Sequence, residues 1–358
     1  MSAAELCTIN VLTKCSACTT SGGSCFRFPD ASSCSIASNS VPCINTTDTC
    51  GTKPAMCATL GQGSSFTLTY DSSFAPQSGV GQIFAISNFP LPATVTDFSL
   101  VSNVLPSKKI KVDAALFTGA TSLSSLTFVN VDYAALSLTD LPATVTKVTY
   151  DTCGITDVSK VVLGPGVTSV SLKGNSLPSA TPPDWLQFGK VTSLDLTGCN
   201  LVSNSNSGQL LWTFPPKLTS LDLSGNSGMT VIPSGVFSLS LTTLKLPTTI
   251  NTNLQAISSD NFKVLSSIKN LLIPSATSCA DPSATIKSLG TQTVCVKEVG
   301  STSGSSNTGL IVGVAVGAVV LIAAIAVFFY CRRKKAAAGG NYYRQSRDRS
   351  GSVPRHRS

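Results

Sequence analysis

Histidine is all but missing from this chain: 358 residues contain one, His356. Its absence upstream excludes Ser–His–Asp triads and His-ligated metal sites there. The 17 acidic residues are scattered, with no paired-carboxylate spacing. There is no GxxxxGK[ST] loop, no dinucleotide fingerprint and no HRD or DFG segment. The chain is therefore expected not to be an enzyme, and to hold no metal or cofactor. Charge and aromatics are scarce too, at 12% and 6%. What is abundant is serine, threonine, glycine and small aliphatic residues.

The net charge of +8 hints at nucleic acid until it is located. From Arg332 onward there are nine Lys or Arg and one Asp, leaving 16 basic (25 − 9) and 16 acidic (17 − 1) residues upstream. A balanced folded part has no basic patch for phosphates, so no nucleic-acid partner is expected.

Residues 309–330 (GLIVGVAVGAVVLIAAIAVFFY) run for 22 positions without a charge. At about 1.5 Å per residue this helix reaches ~33 Å, enough to cross a hydrocarbon core. The Arg and Lys of residues 332–335 follow at once, so the positive-inside bias predicts a single-pass membrane protein with a cytoplasmic C-terminus. The charged tail argues against a lipid anchor. MSAAELCTINVLTKC contains no apolar export core, so a leader upstream of Met1 is expected. Gly309, Gly313 and Gly317 form a doubled GxxxG, which suits a homodimer or co-receptor contact, although glycine is simply common in membrane helices. Cys331 is a palmitoylation candidate and Ser350 a phosphorylation candidate. The basic tail also suits anionic headgroups, at ~1 kcal/mol per Lys or Arg.

Between residues 95 and 273 one pattern recurs eight times: apolar, two spacers, apolar, one spacer, apolar. The copies start at Val95, Leu123, Val145, Val167, Val191, Leu218, Leu241 and Ile268, spaced 22 to 28 residues apart. The clearest, Leu218-x-x-Leu221-x-Leu223-x-x-Asn226, is the leucine-rich-repeat consensus. LPATVT stands both at 91–96 and at 141–146. Each copy alternates like a half-buried strand and cannot bury that face alone, whereas stacked copies share a core. The inward Asn position is taken by Cys153 and Cys199 in two copies, most simply as small buried fillers. The copies at Leu123 and Leu241 lack an Asn or Cys there. Ile232-Pro233 resembles the turn of the plant-type repeat.

Eight of thirteen cysteines fall in the first 57 residues: Cys7, Cys15, Cys18, Cys25, Cys34, Cys43, Cys50 and Cys57. An even, dense set ahead of an exported repeat region predicts four disulfides, of any connectivity. Cys279 and Cys295 are expected to close a cap at the other end. Asn45-Thr46-Thr47 is a glycosylation sequon.

The column of spacers between the second and third apolar positions reads Ser99, Thr127, Thr149, Ser171, Asp195, Asp222, Lys245, Leu272. It lacks the Trp, Tyr and Arg that anchor tight interfaces. Asp195, Asp222 and Lys245 are its only charged run and the candidate ligand-facing residues, with a merely solvated face as the plainer alternative.

The cysteine-rich head, the LPATVT and FPPKLTSLDLSGN segments, the Ser/Gly stalk and the CRRKK stop resemble leucine-rich-repeat receptor-like proteins. The likeness is to the ectodomains of oomycete-type receptor kinases of the tyrosine-kinase-like group, over about residues 1–335. It implies an α/β solenoid, a horseshoe with a parallel β-sheet on its concave face, disulfide-rich caps and one transmembrane helix. The expected organisation is an N-terminal cap over 1–63, repeats over 64–278 and a C-terminal cap over 279–299. A stalk over 300–308, the membrane helix over 309–330 and a disordered basic tail over 331–358 follow. The resemblance implies a plasma-membrane receptor for an extracellular protein, peptide or glycan. Members carry a cytoplasmic kinase domain that this chain lacks, so signalling would need an associated kinase. The alternatives are a non-signalling adhesion or surface-coat protein, or a truncated gene model of a receptor kinase.

Overall fold

The alternation of each copy dictates a strand with one face inward, and the register of the sheet follows from it. The computed structural model of the protein describes residues 3–18, 23–38, 42–57, 63–70, 85–102, 110–136, 138–178, 183–203 and 212–298. Nine strands lie in one parallel sheet in chain order: Ser65–Tyr70, Asp97–Ser102, Ser125–Val129, Lys147–Asp151, Ser169–Ser171, Ser193–Asp195, Ser220–Asp222, Thr243–Lys245 and Asn270–Leu272. Phe66, Phe98, Leu126, Val148, Val170, Leu194, Leu221, Leu244 and Leu271 are successive register partners, buried except for half-buried Leu271. Eight of these rungs are the eight sequence copies. The ninth, at Phe66, precedes them and corrects that count.

Parallel neighbours need a long crossover. The described parts of these returns hold short 3-10 turns, Ala114–Phe117, Val158–Lys160, Leu186–Phe188 and Ser234–Ser238, and before the last rung the α-helix Ser259–Ser266. Several strands begin after the same tight turn. Val95 N–H donates to Pro92 O at 3.0 Å, Val145 to Pro142 at 3.0 Å and Leu218 to Pro215 at 3.2 Å. In the copy at Val167, a Cβ on Gly166 would sit 2.2 Å from the Ala143 carbonyl oxygen, so glycine alone lets the two repeats approach. Ile232 is buried, and Pro233 caps the Ser234–Ser238 turn.

Aromatic rings fill the first half of the core. Phe66, Phe98, Phe128 and Tyr150 pack in series, with centroids 5.9, 6.1 and 5.6 Å apart. Trp185, Phe188, Trp212 and Phe214 form a second group, with successive centroids 4.9 to 6.4 Å apart.

The ends are built differently. The N-terminal region pairs Cys7 with Cys50, Cys15 with Cys25, Cys18 with Cys57 and Cys34 with Cys43. Cys15, Cys18 and Cys25 themselves, with Ala55, make up its small separate core. Buried Arg27 ties it further, pairing with Asp48 and donating to Leu6 O at 2.6 Å. Its six-stranded sheet continues into the repeats through Ala85–Ile86 and Lys111–Val112, so the boundary at 63 is not sharp. At the other end Ala256–Ser258 pairs with Gln292–Lys297, which pairs with Ala284–Leu289, and Cys279 bonds Cys295. That cap thus reaches back before residue 279.

Met1–Val299 forms one compact unit. Among the described residues no helix is long and apolar enough to cross a membrane. The stalk, the 309–330 segment, Gly309, Gly313, Gly317, Cys331 and Ser350 lie outside the described residues.

Candidate recognition face and the polar ladders behind it

The sheet face turned away from the core carries the spacer residues. Thr67, Ser99, Thr127, Thr149, Ser171, Asp195, Asp222, Lys245 and Leu272 are register partners in turn, one column across all nine rungs. Asp195, Asp222 and Lys245 therefore stand side by side, as their spacing predicts. Their charges are largely engaged within the chain. Asp195 Oδ2 accepts from the Ser171 hydroxyl at 3.0 Å and Oδ1 from Thr197 N–H at 2.9 Å. Asp222 Oδ1 accepts from Ser224 N–H at 3.0 Å and from the Ser224 hydroxyl, and Oδ2 faces Lys245 Nζ at 3.0 Å. Burial pushes the Asp222 carboxyl up, but the bonds from Ser224 and Lys245 outweigh it and hold it below the ordinary value. The Lys245 ammonium is raised by the hydrogen bond and charge of Asp222. A further pair, Lys173 and Asp151 at 3.3 Å, lies beside this column and was not singled out from the sequence.

Sequence reasoning also missed a hydroxyl ladder. The residue after the first apolar position is Thr96, Ser124, Thr146, Thr168, Thr192, Thr219 and Thr242 in successive copies. Six of these hydroxyls donate to a backbone carbonyl of the preceding rung, at 3.0 to 3.3 Å: Thr96, Ser124, Thr146, Thr192, Thr219 and Thr242. The signal was visible as a Ser or Thr column, but hydrophobic periodicity does not register it.

Behind the sheet runs a second ladder at the Asn position. Asn175 Nδ2 donates to Tyr150 O at 2.7 Å and Asn226 Nδ2 to Leu196 O at 2.9 Å. The thiols repeat the contact: Cys153 Sγ donates to Phe128 O at 3.3 Å and Cys199 Sγ to Leu172 O at 3.2 Å. All four acceptors are the third apolar residue of the preceding repeat. The Asn rungs also accept, Asn175 Oδ1 from Cys153 N–H at 3.0 Å and Ile155 N–H at 2.9 Å, Asn226 Oδ1 from Leu201 N–H at 3.0 Å. Asn130, one position before the consensus site that Val131 occupies, donates to Ser102 O at 3.2 Å, two residues past the third apolar residue of the preceding repeat. Burial pushes the Cys153 and Cys199 thiols up to about 12, so neither is a nucleophile at neutral pH.

Asn45 is exposed on the edge strand Ile44–Asp48, with Thr47 on the same face and Thr46 buried. Among the described residues no three His, Cys, Asp or Glu side chains gather as a metal site.

Residues 217–239 match the Leucine Rich Repeat family. No curated protein matches the chain, and neither does any solved structure. The matched segment contains the Ser220–Asp222 rung, Asn226 and the Ile232-Pro233 turn, and its neighbours repeat its geometry. The chain carries leucine-rich repeats, a scaffold suited to protein interaction.

Proposed function

We propose that the chain is a cell-surface recognition protein. Its repeats stand outside the cell as a horseshoe whose concave face is the sheet, and residues 309–330 anchor it with the tail in the cytoplasm. The observation that carries this reading is the placing of five disulfides at the two ends of the repeats, a device of oxidising compartments. The uncharged run at 309–330 and the basic tail fit the same topology. Asn45 is glycosylated in this reading, and recognition outside is relayed through an associated kinase. Epitope tags test the topology: an N-terminal tag should stain on intact cells and a C-terminal tag only after permeabilisation. The reverse pattern would sink it.

A second reading is a non-signalling adhesion or coat protein. The internal pairing of Asp195, Asp222 and Lys245 favours it, as do the self-bonded Thr hydroxyls. Probing the ectodomain on protein and glycan arrays separates the two. A single high-affinity partner supports the receptor, and broad weak binding supports adhesion.

A further inference from the structure

Away from the sheet, the segments returning between rungs enclose a cleft of about 340 Å³, within the range of small-ligand sites. Leu177, Pro178, Pro183 and Trp212 give it apolar walls, and Asp157 and Asp184 give it carboxylates. Two of these groups have bonding capacity to spare. Trp212 is 1% exposed and among the described residues its indole N–H has no acceptor, whereas neighbouring Trp185 donates its own to Thr213 O at 2.6 Å. A buried donor left unpaired costs ~1–3 kcal/mol, so its retention calls for a compensating role. Asp184 is exposed; one oxygen accepts from Leu186 N–H at 2.9 Å, and among the described residues the other has no donor. Asp157 is already engaged, by Ser159 N–H at 3.0 Å, the Ser159 hydroxyl at 2.6 Å and Lys160 Nζ at 3.5 Å.

We infer that this cleft binds the cationic side chain of a peptide ligand, arginine fitting best. A planar, weakly hydrated guanidinium lies flat against the Pro178 and Pro183 rings better than a strongly hydrated ammonium does. Its stem lies along Pro178 and Pro183, its charge meets Asp184, and a peptide carbonyl accepts from Trp212 Nε1. Because that nitrogen is buried, pairing it shifts the indole as the ligand enters. The site uses no residue of the sheet face and stands whatever that face binds.

The test titrates N-acetyl-arginine amide into the purified full-length chain and follows the fluorescence of its two tryptophans. The expected result is a saturable change, weakened at least ~10-fold by Asp184→Asn and by raised salt, with the neutral citrulline analogue silent. Trp212→Phe keeps the ring and removes the donor; by calorimetry it should weaken binding while the fold, read by circular dichroism, is retained. Equal responses to both probes, no saturable response, or unchanged affinity in folded Asp184→Asn would each overturn the inference.

Discussion

The disulfide-stapled N-terminal end and the repeats it adjoins solve the same problem by different means. The end has a separate core of three cysteines and one alanine, bonded within some fifty residues. Leu12, Phe26, Phe28 and Cys34 of this end join the main core, and the cross-links add to that packing by restricting the unfolded state. The repeats hold two cysteines, both buried and unbonded, because each rung covers the apolar face of the next. A thiol there serves only as a small donor to a carbonyl one rung back. The contrast teaches that covalent bonds appear where a neighbour is missing.

Changes in each region should break this contrast in opposite ways. Leu221→Asp puts an unpaired charge among Leu194, Leu244 and Leu223, and is expected to cost more than about 4 kcal/mol in denaturant unfolding. An unchanged midpoint would sink the stacked-rung account. Replacing both Cys18 and Cys57 by serine should cost ~2–5 kcal/mol while the circular dichroism of the repeat sheet persists. Asn226→Ala strands Leu201 N–H and the Leu196 and Leu223 carbonyls, at roughly 1–3 kcal/mol, measured by thermal melting. Cys199→Ala removes one weak S–H donor and should cost no more than ~1 kcal/mol; a larger loss would mean the thiol rung carries more than a contact.

Smallest is the surface pair. Lys245→Ala should change stability by less than ~1 kcal/mol, since exposed ion pairs contribute little. The sign of its pH dependence is fixed, because the Asp222 carboxyl is held below its ordinary value of 3.8. Its contribution is therefore full above that value and lost as the pH falls through the lower folded one. Acid unfolding should begin at slightly higher pH in Lys245→Ala than in the parent, and identical curves would remove Lys245 from the balance.

Eight rungs were legible in the sequence because stacking demands apolar residues at fixed spacing. The ninth was not. Phe66 lies 32 residues before its partner Phe98, and Gly63 stands where its first apolar residue should be. The ten cysteines of the two ends, Cys7 to Cys57 with Cys279 and Cys295, were legible as disulfide formers, but their partners depend on which strands adjoin, which composition does not encode. On the candidate face, spacing placed Asp195, Asp222 and Lys245 together. It did not reveal that Ser171, Thr197 and Ser224 already serve their carboxylates, because two-residue and cross-rung contacts have no periodic signature. Asn130 was missed for a similar reason, since a shift of one position escapes a fixed consensus while the side chain still reaches Ser102 O.

The contrast between stapled ends and self-covering rungs is tested most directly by counting thiols in the folded chain and mapping its disulfides by mass spectrometry. The account predicts Cys7–Cys50, Cys15–Cys25, Cys18–Cys57, Cys34–Cys43 and Cys279–Cys295, with Cys153 and Cys199 refusing maleimide until denaturant is added. Finding Cys153 or Cys199 in a disulfide, or labelled in the native state, would contradict it.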